Sequence, residues 1–164
     1  MVSFGHTAIG VVIGISAEKY FVQGNLITGL ITTGGIGVLS HYIADFIPHG
    51  HFAMPKGFKK GILKIIIFDL FLSIVLFLGA IYLKEGVSST FLYVLFGIGG
   101  SQLPDVLGGL VEIKAIKAKG LLKVENAIHE GMHWHGHGNK TLLLSLLDVW
   151  QLIVVLIAFS YIIF

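Results

Sequence analysis

Long apolar runs separated by short polar stretches make up most of this chain. Crossing the ~30 Å hydrocarbon core of a bilayer takes about 20 mostly apolar residues in a helix. Four runs meet that requirement, at residues 25–47, 62–83, 90–113 and 141–164. A fifth run, at residues 3–22, includes Glu18 and Lys19, whose long side chains can reach a membrane interface. The pattern predicts an all-α membrane helix bundle, a single domain over residues 1–164 with about five transmembrane helices.

Composition supports a lipid surrounding and excludes several classes of function. The chain is 55% hydrophobic and 12% charged, with a mean hydropathy of +0.89, an apolar excess that a soluble domain of this size would not carry. The net charge is +2, and no lysine stripe with interleaved aromatic residues indicates a nucleic-acid partner. Cysteine is absent, which excludes disulfides and thiolate ligands. Membrane lipids are the expected partners, and a homo-oligomer is left open.

The lysines predict how the helices are oriented. Every cationic residue is a lysine, and most lie in or beside the loops 48–61 and 114–140. Because cationic loops favour the cytoplasmic side, both loops are predicted to be cytoplasmic, in a multi-pass protein of the inner (cytoplasmic) membrane. Apolar residues recur at helical spacing over residues 121–134, which predicts a short amphipathic helix on the same membrane face.

With this topology, the histidines and the aspartates of the spans all fall on the cytoplasmic side. Ionisable side chains are costly in lipid and by default indicate a functional site. The histidines occur in three stretches, around His6, from His41 to His51 and from His129 to His137. The predicted spans add the carboxylates of Asp45, Asp69, Asp105 and Asp148. We therefore expect one polar patch that faces the cytoplasm.

The second histidine stretch has the most interpretable spacing. His41 and Asp45 are one helical turn apart and share a helix face, so that together they can chelate a divalent cation. Zinc is the expected ion, with manganese or iron as alternatives for mixed nitrogen and oxygen ligands. Pro48 ends the helix, which allows His51 to fold back as a third ligand, and His49 could orient the ligands or replace one. The alternative is a simple hydrogen-bonded pair between helices.

The third stretch matches the pattern H-E-x-x-H. On a helix, His129 and His133 would bind zinc and Glu130 would act on the bound water, as in a metalloprotease. The match is only modestly specific, because the segment is rich in histidine and Gly131 weakens the helix that the motif needs. The histidines beyond it are expected to lie in a loop.

Residues in the other spans complete the candidate site. Pro104 kinks its helix, and Asp105 directly after it is a candidate bridging carboxylate and catalytic group. Ser101 and Gln102 could hydrogen-bond the ligands. Asp69 and Asp148 are expected to orient ligand histidines or to hydrogen-bond across helices. Glycine pairs such as Gly10 and Gly14 are expected to allow close helix packing.

These motifs resemble those of the YdjM-like family of inner-membrane metal-dependent hydrolases. The shared features are the leading Gly5-His6, a His-x3-Asp within a span, the Pro-Asp pair ending at Asp105 and a histidine cluster with His-x-Gly. The resemblance implies a metal-dependent hydrolase in the membrane. In this chain the His-x3-Asp comes second rather than last, and Glu130 stands where the family has arginine.

A more local resemblance is to the zinc-dependent phospholipase C and single-strand nuclease family. In that family an N-terminal Gly-His and a His-x3-Asp-x5-His motif supply zinc ligands for phosphodiester cleavage. His6 fits the first motif, and His41, Asp45 and His51 fit the second. The family's N-terminal tryptophan is Met1 here, and no Asp or His lies between the two motifs.

Together these observations predict a membrane-embedded hydrolase that acts on a phosphoester, preferably a phospholipid, at the cytoplasmic face. One or two divalent ions per chain would activate water, since a bound ion lowers the pKa of water toward ~7. Lys56, Lys59 and Lys60 would attract anionic head groups. Glu130 and Asp105 are the expected catalytic residues. The expected metal ligands are His6, His41, Asp45, His51, Asp105, His129 and His133.

Three other functions are compatible with the sequence. A metalloprotease would depend on Glu130 and not on His41. A divalent-metal or proton transporter would need polar residues along a path through the membrane, whereas here they are confined to one half. A non-catalytic membrane protein with a structural metal is the third alternative.

Overall fold

The structure, a computed structural model, describes residues 3–21, 23–46, 60–132 and 149–164. These residues form six helices and contain no strand, so the all-helical architecture is confirmed for this part of the chain. The helices are α1 (Ser3–Phe21), α2 (Leu26–Phe46), α3 (Lys60–Glu85), α4 (Ser89–Glu112), α5 (Leu121–Met132) and α6 (Val149–Ile163).

Three of the helices are long and apolar enough to cross a membrane, by length and composition. They are the segments Leu26–Phe46, Ile67–Glu85 and Ser89–Val111. Leu152–Ile163 of α6 is a shorter apolar helix among the described residues. These helices support an association with a membrane, while the count of five spans and their orientation stay predictions.

The distribution of side chains on α2 is typical of a helix in lipid. The large apolar side chains of Ile27, Ile31 and Ile43 are exposed by about two thirds, at 68%, 66% and 67%. The buried face of the same helix carries instead the small or polar residues Gly29, Thr33, Gly37, His41, Ala44 and Asp45. Apolar side chains thus point outward and small or polar side chains point into the bundle, which is the arrangement expected of a helix that is surrounded by lipid.

Helix α1 lies at the centre of the bundle, where it contacts α2, α3, α4 and α6. Its residues Ala8 and Val11 are fully buried in a core that includes Phe77 of α3 and Ala158 of α6. Because neighbouring helices cover α1, few of its side chains need to be apolar enough for contact with lipid. This explains why the least hydrophobic of the predicted spans is nevertheless part of the bundle.

Glycines let α1 and α2 approach α4 until their backbones touch. A Cβ atom placed at Gly10 of α1 would lie 2.7 Å from the carbonyl oxygen of Gly97, and one placed at Gly37 of α2 would lie 2.7 Å from the same oxygen. Real Cβ atoms do not approach so closely, so both positions require glycine. Helices α1 and α2 therefore both contact the α4 backbone at Gly97.

The packing at Gly97 determines where nearby residues of the three helices lie along the bundle axis. His6 precedes Gly10 by one helical turn on α1, and His41 follows Gly37 by one turn on the antiparallel α2. Ser101 follows Gly97 by one turn on α4. The three helices thus bring both histidines to one level at the same end of the bundle.

Helix α5 follows α4 and lies against α2 and α4. Its apolar residues Leu121, Val124 and Ile128 are exposed at 88%, 56% and 46%, at spacings that place them along one side of the helix. An exposed apolar stripe on a short helix beside a membrane span is what the predicted amphipathic helix over residues 121–134 would show.

Candidate metal centre

Four ionisable side chains meet where α1, α2 and α4 come together. His6 is on α1, His41 and Asp45 are on α2, and Asp105 is on α4. The side chains of the first three are completely buried, while that of Asp105 is 29% exposed. The cluster is therefore deep within the bundle, with Asp105 on its accessible side.

Each histidine presents its Nε2 atom to both carboxylates. His6 Nε2 lies 3.2 Å from Asp45 Oδ1 and 3.9 Å from Asp105 Oδ2. His41 Nε2 lies 3.0 Å from Asp45 Oδ2 and 3.8 Å from Asp105 Oδ1. The two imidazole rings stack, with centroids 4.0 Å apart and an interplanar angle of 21°.

A backbone contact determines which nitrogen of His41 carries hydrogen. His41 Nδ1 lies 2.7 Å from the carbonyl oxygen of Ser101, which can only accept a hydrogen bond. Nδ1 is therefore the donor, and in the neutral ring Nε2 carries the lone pair. A histidine that donates one ring nitrogen to a carbonyl and directs the other nitrogen at carboxylates is arranged as a metal ligand.

The contact between His41 Nε2 and Asp45 needs a proton or a metal ion between the two atoms. A neutral Nε2 and a carboxylate oxygen are both acceptors, so their close approach is unfavourable unless a proton or a metal ion lies between them. Two ligands bound tetrahedrally at zinc distances of about 2.0–2.2 Å are about 3.4 Å apart. The four nitrogen to oxygen distances, from 3.0 to 3.9 Å, bracket that value. His6, His41 and Asp45 could hold a metal ion, and the nitrogen and oxygen donors suit zinc, manganese or iron.

A chain of hydrogen bonds fixes the helices next to the cluster. Gln102 Nε2 of α4 donates to Thr7 Oγ1 of α1 at 2.7 Å, and the hydroxyls of Thr7 and Ser73 of α3 are 3.0 Å apart. Because Ser73 donates its proton to the carbonyl of Leu70 at 2.9 Å, the Thr7 hydroxyl must donate to Ser73. The chain ties three helices together at the residue that follows His6.

A second polar contact links the cluster to α5. Tyr42, the neighbour of His41, donates its hydroxyl to Glu125 Oε1 at 3.1 Å. The Tyr42 ring also meets the His41 ring edge to face, with centroids 5.8 Å apart. The helix with the exposed apolar stripe is therefore anchored one residue away from a candidate ligand.

Several residues that contribute to this arrangement were not singled out from the sequence. Thr7 and Ser73 could have been suspected, because each is a polar residue within an apolar run. Tyr42 and Glu125 had no such signal, since tyrosine and glutamate are ordinary residues at a helix end.

Ser101 and Gln102 were expected to hydrogen-bond the ligands. The backbone carbonyl of Ser101 bonds His41. In contrast, the Ser101 hydroxyl donates to the carbonyl of Ile98, and the Gln102 amide donates to Thr7.

The remaining candidate residues are not part of the described cluster. Asp69 lies on α3, one turn before Ser73, and is half-buried. The side chains of His129 and Glu130, in the last turn of α5, fall outside the described part of the chain, and the H-E-x-x-H hypothesis stays a prediction. Wholly outside the described residues are His49, His51, His133 and Asp148, together with Lys56 and Lys59.

A scan against models of protein families, a search of curated proteins and a search of solved structures each found no match to this chain. The two family resemblances noted above therefore rest on the quoted motifs alone.

Proposed function

We propose that this protein is a membrane-embedded, metal-dependent hydrolase that cleaves a phosphoester, preferably of a phospholipid, at the cytoplasmic leaflet. The observation that carries the proposal is the buried pairing of His6 and His41 with the carboxylate of Asp45, beside the partly exposed Asp105. The lipid substrate and the cytoplasmic side come from the predicted topology.

Charge favours a metal ion over protons as the cation in the cluster. Because His41 Nδ1 donates to the Ser101 carbonyl, the 3.0 Å contact of His41 Nε2 with Asp45 would, without a metal ion, require an imidazolium ring or a protonated carboxyl in a fully buried site. A divalent ion can bind nitrogen and oxygen ligands together and leaves both rings neutral. Burial of several ionisable groups is tolerated when they coordinate a metal.

The accessible side of the cluster favours catalysis over a purely structural role. Structural zinc sites are closed by four protein ligands, whereas catalytic sites keep a position for water or substrate. Asp105 is 29% exposed, so the cluster is open on that side. A divalent ion there would lower the pKa of bound water toward ~7. In the hydrolysis, the water oxygen bonds to phosphorus, the bond from phosphorus to the ester oxygen breaks, and the released alcohol takes up a proton.

The surroundings of Asp105 fit a substrate with an apolar part. Val106, the next residue on α4, is exposed at 39%. A phosphate that reaches Asp105 would therefore have apolar surface beside it, as a lipid head group at the end of its acyl chains would require.

The proposal is tested by assaying the detergent-purified chain, loaded with zinc or manganese, on vesicles of mixed phospholipids. We expect the wild-type chain to release phosphate or a phosphorylated head group. The activity of Asp45→Asn should be at least about 100-fold lower, because loss of residues that merely support the ligands already costs about 10–100-fold. Glu85→Gln makes the same chemical change at an exposed site on α3 and should keep full activity. Metal binding without release from any phospholipid would contradict the proposal.

The same preparations separate the hydrolase from its alternatives. Casein cleavage that requires Glu130 and not His41 would indicate a metalloprotease. Metal uptake into proteoliposomes that requires His41 and Asp45, without phosphoester cleavage, would indicate a transporter.

A further inference from the structure

We propose that the cluster binds two divalent cations, with one histidine on each ion and with Asp45 and Asp105 each bridging the pair. The inference rests on the metal site of the proposed function and specifies its composition.

The carboxylate oxygens are divided between the two histidines. His6 Nε2 faces Asp45 Oδ1 and Asp105 Oδ2, while His41 Nε2 faces the other oxygen of each carboxylate, Asp45 Oδ2 and Asp105 Oδ1. Each histidine thus has its own pair of oxygens, one from each aspartate. This division produces two sets of one nitrogen and two oxygens, which is the arrangement of two ions joined by bridging carboxylates.

The stacking of the rings argues against one ion shared by both histidines. A metal ion bound to imidazole lies near the ring plane, at about 2.0–2.1 Å from the nitrogen. The planes of His6 and His41 differ by only 21° and their centroids are 4.0 Å apart. Two planes so nearly parallel do not meet within a bond length of either Nε2, so an ion shared by both histidines would have to lie out of the plane of at least one ring. Each ring can accommodate an ion in its own plane.

The separation of the rings also matches that of a pair of ions. Metal ions in two-metal hydrolytic sites are about 3.5–4 Å apart, so that together they contact the attacking and leaving oxygens. An ion in the plane of each ring would reproduce the 4.0 Å spacing of the rings themselves. Each ion would have three protein ligands among the described residues, which leaves positions for water and substrate.

The charge of such a site specifies the substrate more closely. Two aspartates and two divalent ions leave a net charge of about +2, with neutral histidines. A phosphate monoester carries a charge of about −1.5 to −2 at neutral pH, which nearly neutralises this site. A site with a single ion would be neutral before the substrate binds. Two ions therefore favour a phosphate monoester, such as a lipid that ends in a phosphate group, over a neutral ester.

The test is a titration of the metal-free, full-length protein in detergent with Mn²⁺, followed by elemental analysis and electron paramagnetic resonance. We expect about two equivalents in the wild-type chain, with the spectrum of a spin-coupled pair. Glu85→Gln should behave in the same way. His6→Ala and His41→Ala should each bind about one equivalent, with the signal of an isolated ion, while circular dichroism shows helix content unchanged.

One equivalent in the wild-type chain, or two equivalents without spin coupling, would overturn the two-ion proposal. The metal titration and the phosphate-release assay together distinguish failure of the two-ion site from failure of the proposed function. A spin-coupled pair in a protein that releases no phosphate would leave the two-ion site and refute the hydrolase. Phosphate release by a protein that binds a single ion would refute the two-ion site and leave the hydrolase. Absence of any bound metal would refute the two-ion site and the hydrolase together.

Discussion

His6 and His41 stack their imidazole rings with centroids 4.0 Å apart, although one lies in the first turn of α1 and the other near the end of α2. Both helices approach the same stretch of α4, at Gly97, which brings the two residues to one level. The candidate site is therefore a product of helix packing as much as of ligand type, and the predictions below test both.

The packing of helices on Gly97 should control metal binding from a distance. In Gly97→Ala the added methyl group would collide with the backbone of Gly10, a position where nothing flexible can move away. We expect a loss of stability of about 1–3 kcal/mol and weaker metal binding, because the two histidines would separate. Gly99→Ala is the matched control on the same helix, since a Cβ there meets nothing within 4 Å. Thermal unfolding and metal titration of both variants would measure the difference, and equal behaviour would contradict the packing argument.

The two aspartates should differ in their effect on stability. Asp45 is fully buried between both histidines, whereas Asp105 is 29% exposed. In metal-loaded protein, Asp45→Asn should destabilise the fold by about 3–5 kcal/mol, as expected when one member of a buried charged group is removed. Asp105→Asn should cost less, because water can compensate part of the loss. The comparison requires unfolding curves with and without chelator, and a larger effect of Asp105→Asn would oppose the assigned burial.

The hydrogen-bonded chain beside His6 should contribute to stability without being needed as a ligand. Ser73→Ala removes the hydroxyl that accepts from Thr7, and we expect a loss of about 0.5–1.5 kcal/mol because a buried hydrogen bond between α1 and α3 is lost. Ser160→Ala removes an exposed hydroxyl that bonds a carbonyl of its own helix and should have almost no effect. Metal stoichiometry should be the same in both variants. Complete metal loss in Ser73→Ala would instead indicate that the chain is part of the site.

The contact between Tyr42 and Glu125 should hold α5 in place. Tyr42→Phe keeps the ring beside His41 and removes the bond to Glu125. We expect unchanged metal content and faster amide hydrogen exchange in α5, since local opening depends on such contacts. Tyr82→Phe is the control, since Tyr82 lies near the C-terminal end of a different helix, α3. Unchanged exchange in α5 would show that this bond does not anchor the helix.

Part of the fold and of the candidate site follows from the sequence alone. The helical segments are visible as apolar runs, and the pairing of His41 with Asp45 is a local consequence of their spacing by one turn. The approach of His6 and Asp105 was suggested by the predicted topology, which places polar residues of different helices at one end.

The remaining features depend on the register between helices, which periodicity does not determine. The bond from His41 to the Ser101 carbonyl requires the one register in which Gly37 of α2 packs against Gly97 of α4. The paired division of carboxylate oxygens between the histidines likewise requires side-chain directions from three helices. The central position of α1 was also hidden, because its modest hydropathy reflects burial by its neighbours.

The most direct test of the account is elemental analysis of the wild-type protein, purified in detergent with zinc or manganese and then desalted. We expect firmly bound metal at one or more equivalents per chain in the wild-type protein, about the same in Glu85→Gln, a loss of about half or more in His41→Ala, and a larger loss in Asp45→Ala. Wild-type protein that retains no metal, or variants that retain as much as the wild type, would show that the buried histidines and aspartates are an ion-pair cluster and not a metal site.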